Sequence, residues 1–179
     1  MNNRQNAKEK IIDFLASDKK ALLLTGTHQN EKHVLVLHSI VNAVSKPSSI
    51  LFRANSMDNL GSFFKAHTKN FKTGKPYKMG KHAMYIDTIN KASWKNTKHH
   101  YDYAIIYPLD SVLKISGREE IFKDLYVHRN VGKIFIVSWT DHRIYNYEDL
   151  AEFYDEHVVF DALEENPAYH QRVINVLNR

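Results

Sequence analysis

The stretch from Ala21 to Val44 is the part of the sequence that most restricts the fold. A short apolar run, Ala21–Leu24, ends at Thr25-Gly26, and a polar loop then leads into an apolar segment of helical length. A strand that turns at a glycine and enters a helix directs backbone N–H groups and the positive end of the helix dipole at one point. Lys32, at the start of the helical segment, adds a positive charge. The stretch therefore predicts an anion-binding loop between a strand and a helix.

The spacing within this loop matches half of a known phosphate-binding pattern. In G-x-x-x-x-G-K-[ST], the first glycine falls on Gly26 and the lysine on Lys32. Glu31 stands in the place of the second glycine, and His33 in the place of the hydroxyl residue that binds Mg²⁺. The context of strand, loop and helix is therefore right, while the phosphate and metal chemistry is incomplete.

Strand and helix patterns alternate through the rest of the chain. Apolar runs bounded by turn residues predict strands, and apolar residues at helical spacing predict the helices between them. Such alternation favours a mostly parallel sheet covered by helices on both faces. The predicted strands are Ala21–Thr25, Ser49–Ala54, His82–Thr88, Tyr103–Tyr107, Lys133–Ser138 and His157–Asp161. The predicted helices are Ala7–Ser17, a helix after the loop that ends near Val44, Met57–His67, a short one near Asn90–Trp94, Ser116–His128, Asn146–Tyr154 and Pro167–Leu177.

This order of elements, added to the loop, resembles the P-loop NTPase superfamily. More narrowly, it resembles the branch with an additional central strand, to which RecA-like, AAA-type and helicase ATPase domains belong. The resemblance implies a three-layer α/β/α fold with a mostly parallel central sheet of five or six strands, in a single domain over residues 1–179. It also implies that the loop strand lies beside Lys133–Ser138, and that Lys133–Ser138 lies beside Tyr103–Tyr107.

The resemblance also implies roles for individual residues at the C-terminal edge of the sheet. The family's polar sensor matches Ser138 or Thr140, and Arg143 lies where some members place an arginine finger. Asp110 and Arg143 are the candidate catalytic residues. The expected ligand is ATP or another nucleotide. Its implied binding residues are Gly26, Thr27, His28, Gln29, Asn30, Glu31, Lys32 and His33.

Both residues that the resemblance would lead one to expect as Mg²⁺ ligands are replaced in this sequence. The family's metal-binding aspartate at the end of an apolar strand falls on Tyr107, and Asp110 lies too far along the chain to replace it directly. His33 replaces the hydroxyl residue, and imidazole is a poor partner for a hard, oxygen-seeking cation. Two alternatives stay open: nucleotide binding without fast hydrolysis, or a fold that has lost its nucleotide. Glu31 favours the second, because its charge opposes phosphate.

The charges of the chain are segregated. Residues 60–101 contain nine lysines and a single acid, Asp87. The stretch Thr68–Lys81 has no periodicity and is interpreted as a long loop insertion. Its lysines can neutralise phosphates and its aromatic residues can stack on bases, which predicts contact with single-stranded DNA or RNA, although a lysine-rich loop can also serve solubility alone. The predicted contact residues are Lys69, Lys72, Lys75, Lys78, Lys81 and Tyr77.

The C-terminal part of the chain suggests a different function. Between Arg143 and Arg172 there are eight acids and no lysine or arginine, and Glu148–Glu165 would form a protein interface. The alternative hypothesis is therefore a catalytically inactive interaction or regulatory module on an ATPase scaffold. With no cysteine, no metal-binding spacing among the eleven histidines, no apolar run near ~18 residues and no secretory segment, no metal and no membrane partner are predicted, and a cytoplasmic location is expected.

Overall fold

One sheet organises the protein. A computed structural model describes residues 1–178. Its seven strands have the order β3-β4-β2-β5-β6-β1-β7, and every neighbouring pair is parallel except β3 with β4. The strands are β1 Ala21–Thr25, β2 Ser49–Ala54, β3 Tyr77–Met79, β4 His82–Thr88, β5 His100–Tyr107, β6 Asn130–Val137 and β7 Glu156–Val159.

Helices cover both faces of this sheet. The first helix is capped by Asn3, whose side chain accepts a hydrogen bond from Asn6 N–H. The second helix follows Glu31, whose side chain makes no such capping bond. The helices are α1 Arg4–Ala16, α2 Lys32–Ala43, α3 Leu60–Phe63, α4 Leu109–Leu113, α5 Glu119–Lys123 and α6 Pro167–Leu177. A π-helical turn, Asp124–His128, continues α5, and 3₁₀ turns span Met57–Asn59, Lys91–Asn96 and Tyr147–Phe153.

The sheet separates two apolar clusters, which defines three layers. Successive strand residues point to opposite faces, so Leu22 and Leu24 of β1 lie in one cluster with α1 and α2, while Leu23 lies in the other with α4 and α5. All five residues of β1 are buried, as expected for a parallel strand covered on both sides. The α/β/α fold class is confirmed, and so is the central order, because β6 lies between β1 and β5.

Several details differ from the sequence-based prediction. The sheet has seven strands instead of five or six, because Tyr77–Met79, inside the lysine-rich stretch, pairs antiparallel with β4. The helix predicted over Ser116–His128 begins only at Glu119, since Gly117 has a φ of +74° that no regular helix accepts.

A buried ion network joins the outer half of the sheet to the α5 layer. Arg53 of β2 is fully buried, and its guanidinium donates to both carboxylate oxygens of Asp87 at 2.9 and 2.8 Å and to Asp124 at 2.8 Å. Arg129 donates to the same Asp124 at 2.8 Å, and the Trp94 ring covers Arg53 at 4.4 Å. Two cations and two carboxylates therefore neutralise one another away from water, and each depends on the others.

Arg53→Met tests this network. Within residues 1–178, the variant leaves the buried carboxylate of Asp87 without a cationic partner and that of Asp124 with Arg129 alone, so we expect the free energy of unfolding to fall by about 3–5 kcal/mol. Urea denaturation followed by circular dichroism measures the loss. Arg118→Met, which removes only a partly exposed ion pair with Glu119, is the control and should cost less than about 1 kcal/mol. A loss below about 1 kcal/mol for Arg53→Met would contradict this account of the network.

Candidate functional site

The loop between β1 and α2 begins at a residue that only glycine can fill. Gly26 has a φ of +118°, a conformation that side chains rarely adopt. A Cβ atom at this position would lie 2.1 Å from the carbonyl oxygen of Phe160, which follows β7. The close approach of the two backbones therefore fixes both the turn and the identity of the residue.

The backbone amides of this loop are bonded to the chain's own acceptors. The N–H of Gly26 donates to the carboxylate of Asp141, and the N–H of Thr27 donates to the carboxylate of Asp161 at 3.0 Å. His28 N–H donates to the carbonyl of Phe160 at 3.3 Å. Two protein carboxylates thus occupy the positions where an anion would meet the amides. The loop is closed on itself.

Lys32 lies beneath this closed loop. It is fully buried, and its Nζ donates to the carbonyl oxygens of Gly26 and, at 3.2 Å, of Trp139. Burial lowers the pKa of Lys32 to about 8, against the opposing effect of the carboxylates of Asp141 and Asp110. The amine therefore holds the loop to the end of β6.

Asp141 connects the loop to the segment after β6. Its carboxylate accepts the N–H of Gly26, the hydroxyl of Ser138 at 2.6 Å and the hydroxyl of Tyr147 at 2.8 Å. Burial and the nearby Asp141 charge raise the pKa of Tyr147, so this hydroxyl stays protonated and donates. The predicted sensor Ser138 is thus engaged in holding the acid that closes the loop.

Asp110 and Thr140 form a second anchor at the same edge of the sheet. The Asp110 carboxylate accepts the N–H of Trp139 at 2.6 Å and both the N–H and the hydroxyl of Thr140, at 2.9 and 2.6 Å. Asp110 is almost fully buried. The predicted catalytic candidate and the second predicted sensor therefore lie together, with each bonded to the other. Arg143, the other catalytic candidate, has an exposed side chain without a hydrogen bond or ion pair to residues 1–178.

The two positions predicted to have lost their Mg²⁺ ligands contact each other. The rings of His33 and Tyr107 stack with centroids 4.1 Å apart and planes 24° apart, and Phe63 packs edge-on against both. His33 Nε2 lies 2.8 Å from the carbonyl of Phe63, and the Tyr107 hydroxyl donates to the carbonyl of Gln29 at 3.1 Å. An aromatic stack thus fills the place where oxygen ligands would hold a cation.

This donor set does not fit Mg²⁺. The cation needs several oxygen ligands in octahedral geometry, whereas His33 is buried among aromatic rings and burial lowers its pKa to about 4. Within residues 1–178, no group of three or more histidines, aspartates or glutamates could hold a metal ion.

Helix α6 closes the loop from above. The Tyr169 hydroxyl donates to Gln29 Oε1 at 3.1 Å, and His170 Nδ1 lies 2.8 Å from the hydroxyl of Thr27. The His28 ring packs on Phe160 at 4.3 Å.

The remaining loop residues also have partners within the chain. Asn30 accepts from the Trp139 indole N–H at 3.2 Å, and Glu31 turns outward toward Arg4 and Lys65 at 3.7 and 3.6 Å. The predicted nucleotide-binding residues are therefore adjacent in space, but most of their hydrogen bonds are made to other residues of the chain, and the Glu31 carboxylate points to the surface.

The lysine-rich stretch presents its charges to solvent. Its five lysines are exposed, and none lies within 4 Å of a carboxylate in residues 1–178; they are Lys69, Lys72, Lys75, Lys78 and Lys81. The position of Tyr77 does not agree with the prediction that its ring stacks on bases. It is only 8% exposed, because β3 turns its ring into the core, where its hydroxyl accepts from Lys72 N–H at 2.7 Å.

Several acids of the predicted protein interface instead make hydrogen bonds or ion pairs within the fold. Asp161 closes the loop, Asp155 accepts the N–H groups of Lys20 and Ala21 at 2.7 and 2.8 Å, and Glu165 pairs with Arg4 at 2.8 Å. The exposed acids of the 3₁₀ turn have no cation within 4 Å in residues 1–178; they are Glu148, Asp149 and Glu152.

Four residues that complete the site were absent from the predicted set: Asp141, Asp161, Tyr147 and Tyr169. Two of them carried a usable signal. Asp141 and Asp161 both follow strands, and the carboxyl ends of parallel strands meet at one edge of a sheet. The tyrosines carried no such signal, since their positions depend on the path of the chain after each strand.

The fold has a known structural counterpart. It is similar to the large terminase of a thermophilic bacteriophage, solved in complex with ADP, with a TM-score of 0.58 at 10% sequence identity. The likeness covers 95% of this chain and 48% of the terminase chain, so this chain spans about half the length of that protein. Together with the strand order, it shows that this chain shares a three-layer α/β/α fold with part of the terminase, and it shows the fold alone.

Other comparisons add no family or relative. No protein-family model matches the chain, and no curated protein matches it. Among the helices of residues 1–178, none has the length and apolar character needed to cross a membrane.

The buried His33 makes stability depend on pH. Its pKa is about 4 in the folded protein and 6.5 for the free side chain, so between these values the unfolded chain binds more protons. The contribution of His33 to the free energy of unfolding is therefore fully present above about pH 6.5. It falls by about 2–4 kcal/mol as the pH drops toward 4.

The comparison of wild type with His33→Phe isolates this contribution. Phenylalanine retains an aromatic ring beside Tyr107 but has no proton to bind. Urea denaturation at several pH values between 7 and 4 should show the wild type losing stability faster than the variant. Parallel curves for the two proteins over this range would contradict the assignment.

Proposed function

We propose that this chain is a P-loop NTPase-like protein that does not hydrolyse nucleotide and that contacts single-stranded nucleic acid through its lysine-rich region. The observation that carries the first half is the stack of His33 on Tyr107. Phosphoryl transfer depends on a metal ion that bridges the phosphates and neutralises their developing charge. An aromatic stack offers no such ligand.

The closed loop supports the same conclusion for nucleotide binding. The fold neighbour was solved with ADP, which makes the β1–α2 loop the place where a nucleotide would be sought. In this chain a phosphate must first displace the carboxylates of Asp141 and Asp161 from the amides of Gly26 and Thr27. Leaving these two negative charges beside the phosphates is costly in a partly buried site. Tight binding of a nucleotide is therefore disfavoured.

Calorimetric titration with ADP and ATP tests the proposal that the loop does not bind nucleotide tightly. We expect Kd values above about 1 mM, corresponding to less than about 4 kcal/mol of binding free energy, with and without Mg²⁺. A Kd below about 100 µM that requires Mg²⁺ would contradict the proposal, as would ATP hydrolysis that Lys32→Met abolishes.

The nucleic-acid half depends on the exposed charges of the lysine-rich stretch. Lys69, Lys72 and their three neighbours of the same stretch have no carboxylate within 4 Å in residues 1–178, so their full charge is available to an external anion. Contacts between lysines and phosphates release counterions and make the affinity fall with salt. Because Tyr77 is buried, we expect the contact to be electrostatic rather than based on stacking by this ring.

Fluorescence anisotropy with labelled oligothymidylate of about 20 nucleotides tests the contact. The double variant Lys72→Ala/Lys75→Ala should lower the slope of log affinity against log salt by about 1.4, since each lysine contributes about 0.7 on a single strand. Lys10→Ala/Lys123→Ala, which removes two exposed lysines elsewhere, is the matched control. Absence of wild-type binding at about 50 mM salt, or equal slopes for both variants, would contradict the contact.

A second candidate function is a protein-interaction or regulatory module on the same scaffold. The observation that favours it is the 3₁₀ turn Tyr147–Phe153, whose exposed acids Glu148, Asp149 and Glu152 have no cation within 4 Å in residues 1–178. Oligothymidylate binding separates the candidates. The first predicts salt-dependent binding that Lys72→Ala/Lys75→Ala weakens, whereas the interaction module predicts no such binding.

A further inference from the structure

An apolar groove lies beside the lysine-rich stretch, on the face of the sheet that carries α2. It has a volume of about 430 Å³ and runs between α2, α3 and β3. Its walls are formed mainly by apolar side chains: Val34, Leu37, Phe64, Phe71, Met79 and Met84. Of these, Val34, Phe64, Phe71 and Met79 are only half-buried, so part of their apolar surface meets water. Apolar surface gathered in a concave site marks a place for a ligand or partner.

The rim of the groove is positively charged. Lys65, Lys69 and Lys78 line it, and no acidic residue does. Lys69 and Lys78 have no carboxylate within 4 Å in residues 1–178, and Lys65 has one loose pair with Glu31 at 3.6 Å. The Lys69 ammonium lies 4.9 Å from the centre of the Tyr77 ring, which places a charge directly beside the apolar walls.

Lys65 occupies this rim in an unfavourable backbone conformation. Its φ is +51°, and it alone among the non-glycine residues of 1–178 has a positive φ. Glycine or asparagine would adopt this turn after α3 at lower cost, by about 1–2 kcal/mol for glycine. A long cationic side chain therefore stands at the rim although the backbone disfavours it.

We propose that this groove binds an acidic, amphipathic peptide segment of a partner protein. Apolar anchors of the peptide fill the groove, and its carboxylates face Lys65, Lys69 and Lys78. Helical ligands of this kind present anchors at i, i+3 or i+4, and i+7. Met79 and Met84 adapt to such anchors because their side chains are flexible and polarisable.

The chemistry of the walls favours a peptide over nucleic acid. Phe71 packs against Phe64 at 5.5 Å and against Tyr77 at 5.1 Å, so these rings already use their faces and edges on one another. Polar base edges would lose their hydrogen bonds among the apolar walls. Leucine or phenylalanine anchors bury apolar area there without such a loss. This inference goes beyond the proposed function, because it depends on the apolar groove. Lys69 and Lys78 of the rim also belong to the proposed nucleic-acid contact, and a change within the groove therefore has to distinguish the two ligands.

The test uses a labelled helical peptide of about 18 residues, with leucines at i, i+3, i+4 and i+7 and glutamates on the flanking positions. We expect saturable binding by fluorescence anisotropy. A peptide of the same composition with its leucines dispersed around the helix should bind at least about 10-fold more weakly, as should one with lysines in place of its glutamates.

Two variants of the protein locate the site. Val34→Trp fills the groove from α2 and should lower the affinity for the peptide at least about 10-fold while leaving oligothymidylate binding unchanged. Lys69→Glu/Lys78→Glu reverses the rim charge and should lower the affinity for the peptide by a similar factor. The control variant Lys10→Glu/Lys123→Glu should leave this affinity unchanged. Thermal unfolding checks that each variant is folded.

Three results would overturn the proposal. They are absence of saturable binding up to about 1 mM peptide, equal binding of the ordered and dispersed peptides, and peptide binding that Val34→Trp leaves unchanged. Displacement of the peptide by oligothymidylate, combined with equal losses of both ligands in Val34→Trp, would assign the groove to nucleic acid instead and overturn the proposal as well.

Discussion

The hydrogen bonds from the Gly26 and Thr27 amides to Asp141 and Asp161 are the interactions on which the rest of the site depends. They satisfy the backbone donors that a sharp turn into a helix leaves exposed. They also join three strand ends, because the two acids follow β6 and β7 while the amides follow β1. The buried Lys32 amine completes the arrangement by holding loop and β6 segment together. The loop amides thus have acceptors from the protein itself.

The other departures from the phosphate-binding pattern are compensated in the same local way. His33 and Tyr107 stack on each other, so that two positions expected to bind a metal instead bury aromatic surface. Glu31, which would repel phosphate, turns toward Arg4 and Lys65 at the surface. Each replacement exchanges an interaction with a ligand for an interaction within the chain. This exchange explains how the loop and the strand ends around it keep a defined geometry although these positions depart from the phosphate-binding pattern.

Local patterns predicted much of the fold, whereas the closing contacts depend on distant residues. The bounds of β1 and α6 agree with the prediction, since an apolar run before a glycine and a Pro167 at the start of a helix are strong local signals. The strand Tyr77–Met79 was missed because its three residues lie among lysines without periodicity. The bonds that close the loop join residues 115 and 134 positions apart, and no local pattern encodes such pairs.

Amide hydrogen exchange at Gly26 and Thr27 shows whether the protein's own carboxylates close the loop. Nuclear magnetic resonance can follow both amides in the free protein and in the presence of millimolar Mg-ADP. We predict that both amides are protected in the free protein, because each donates to a carboxylate, and that Mg-ADP leaves their exchange unchanged. Rapid exchange in the free protein that becomes slow only when Mg-ADP is added would contradict the account.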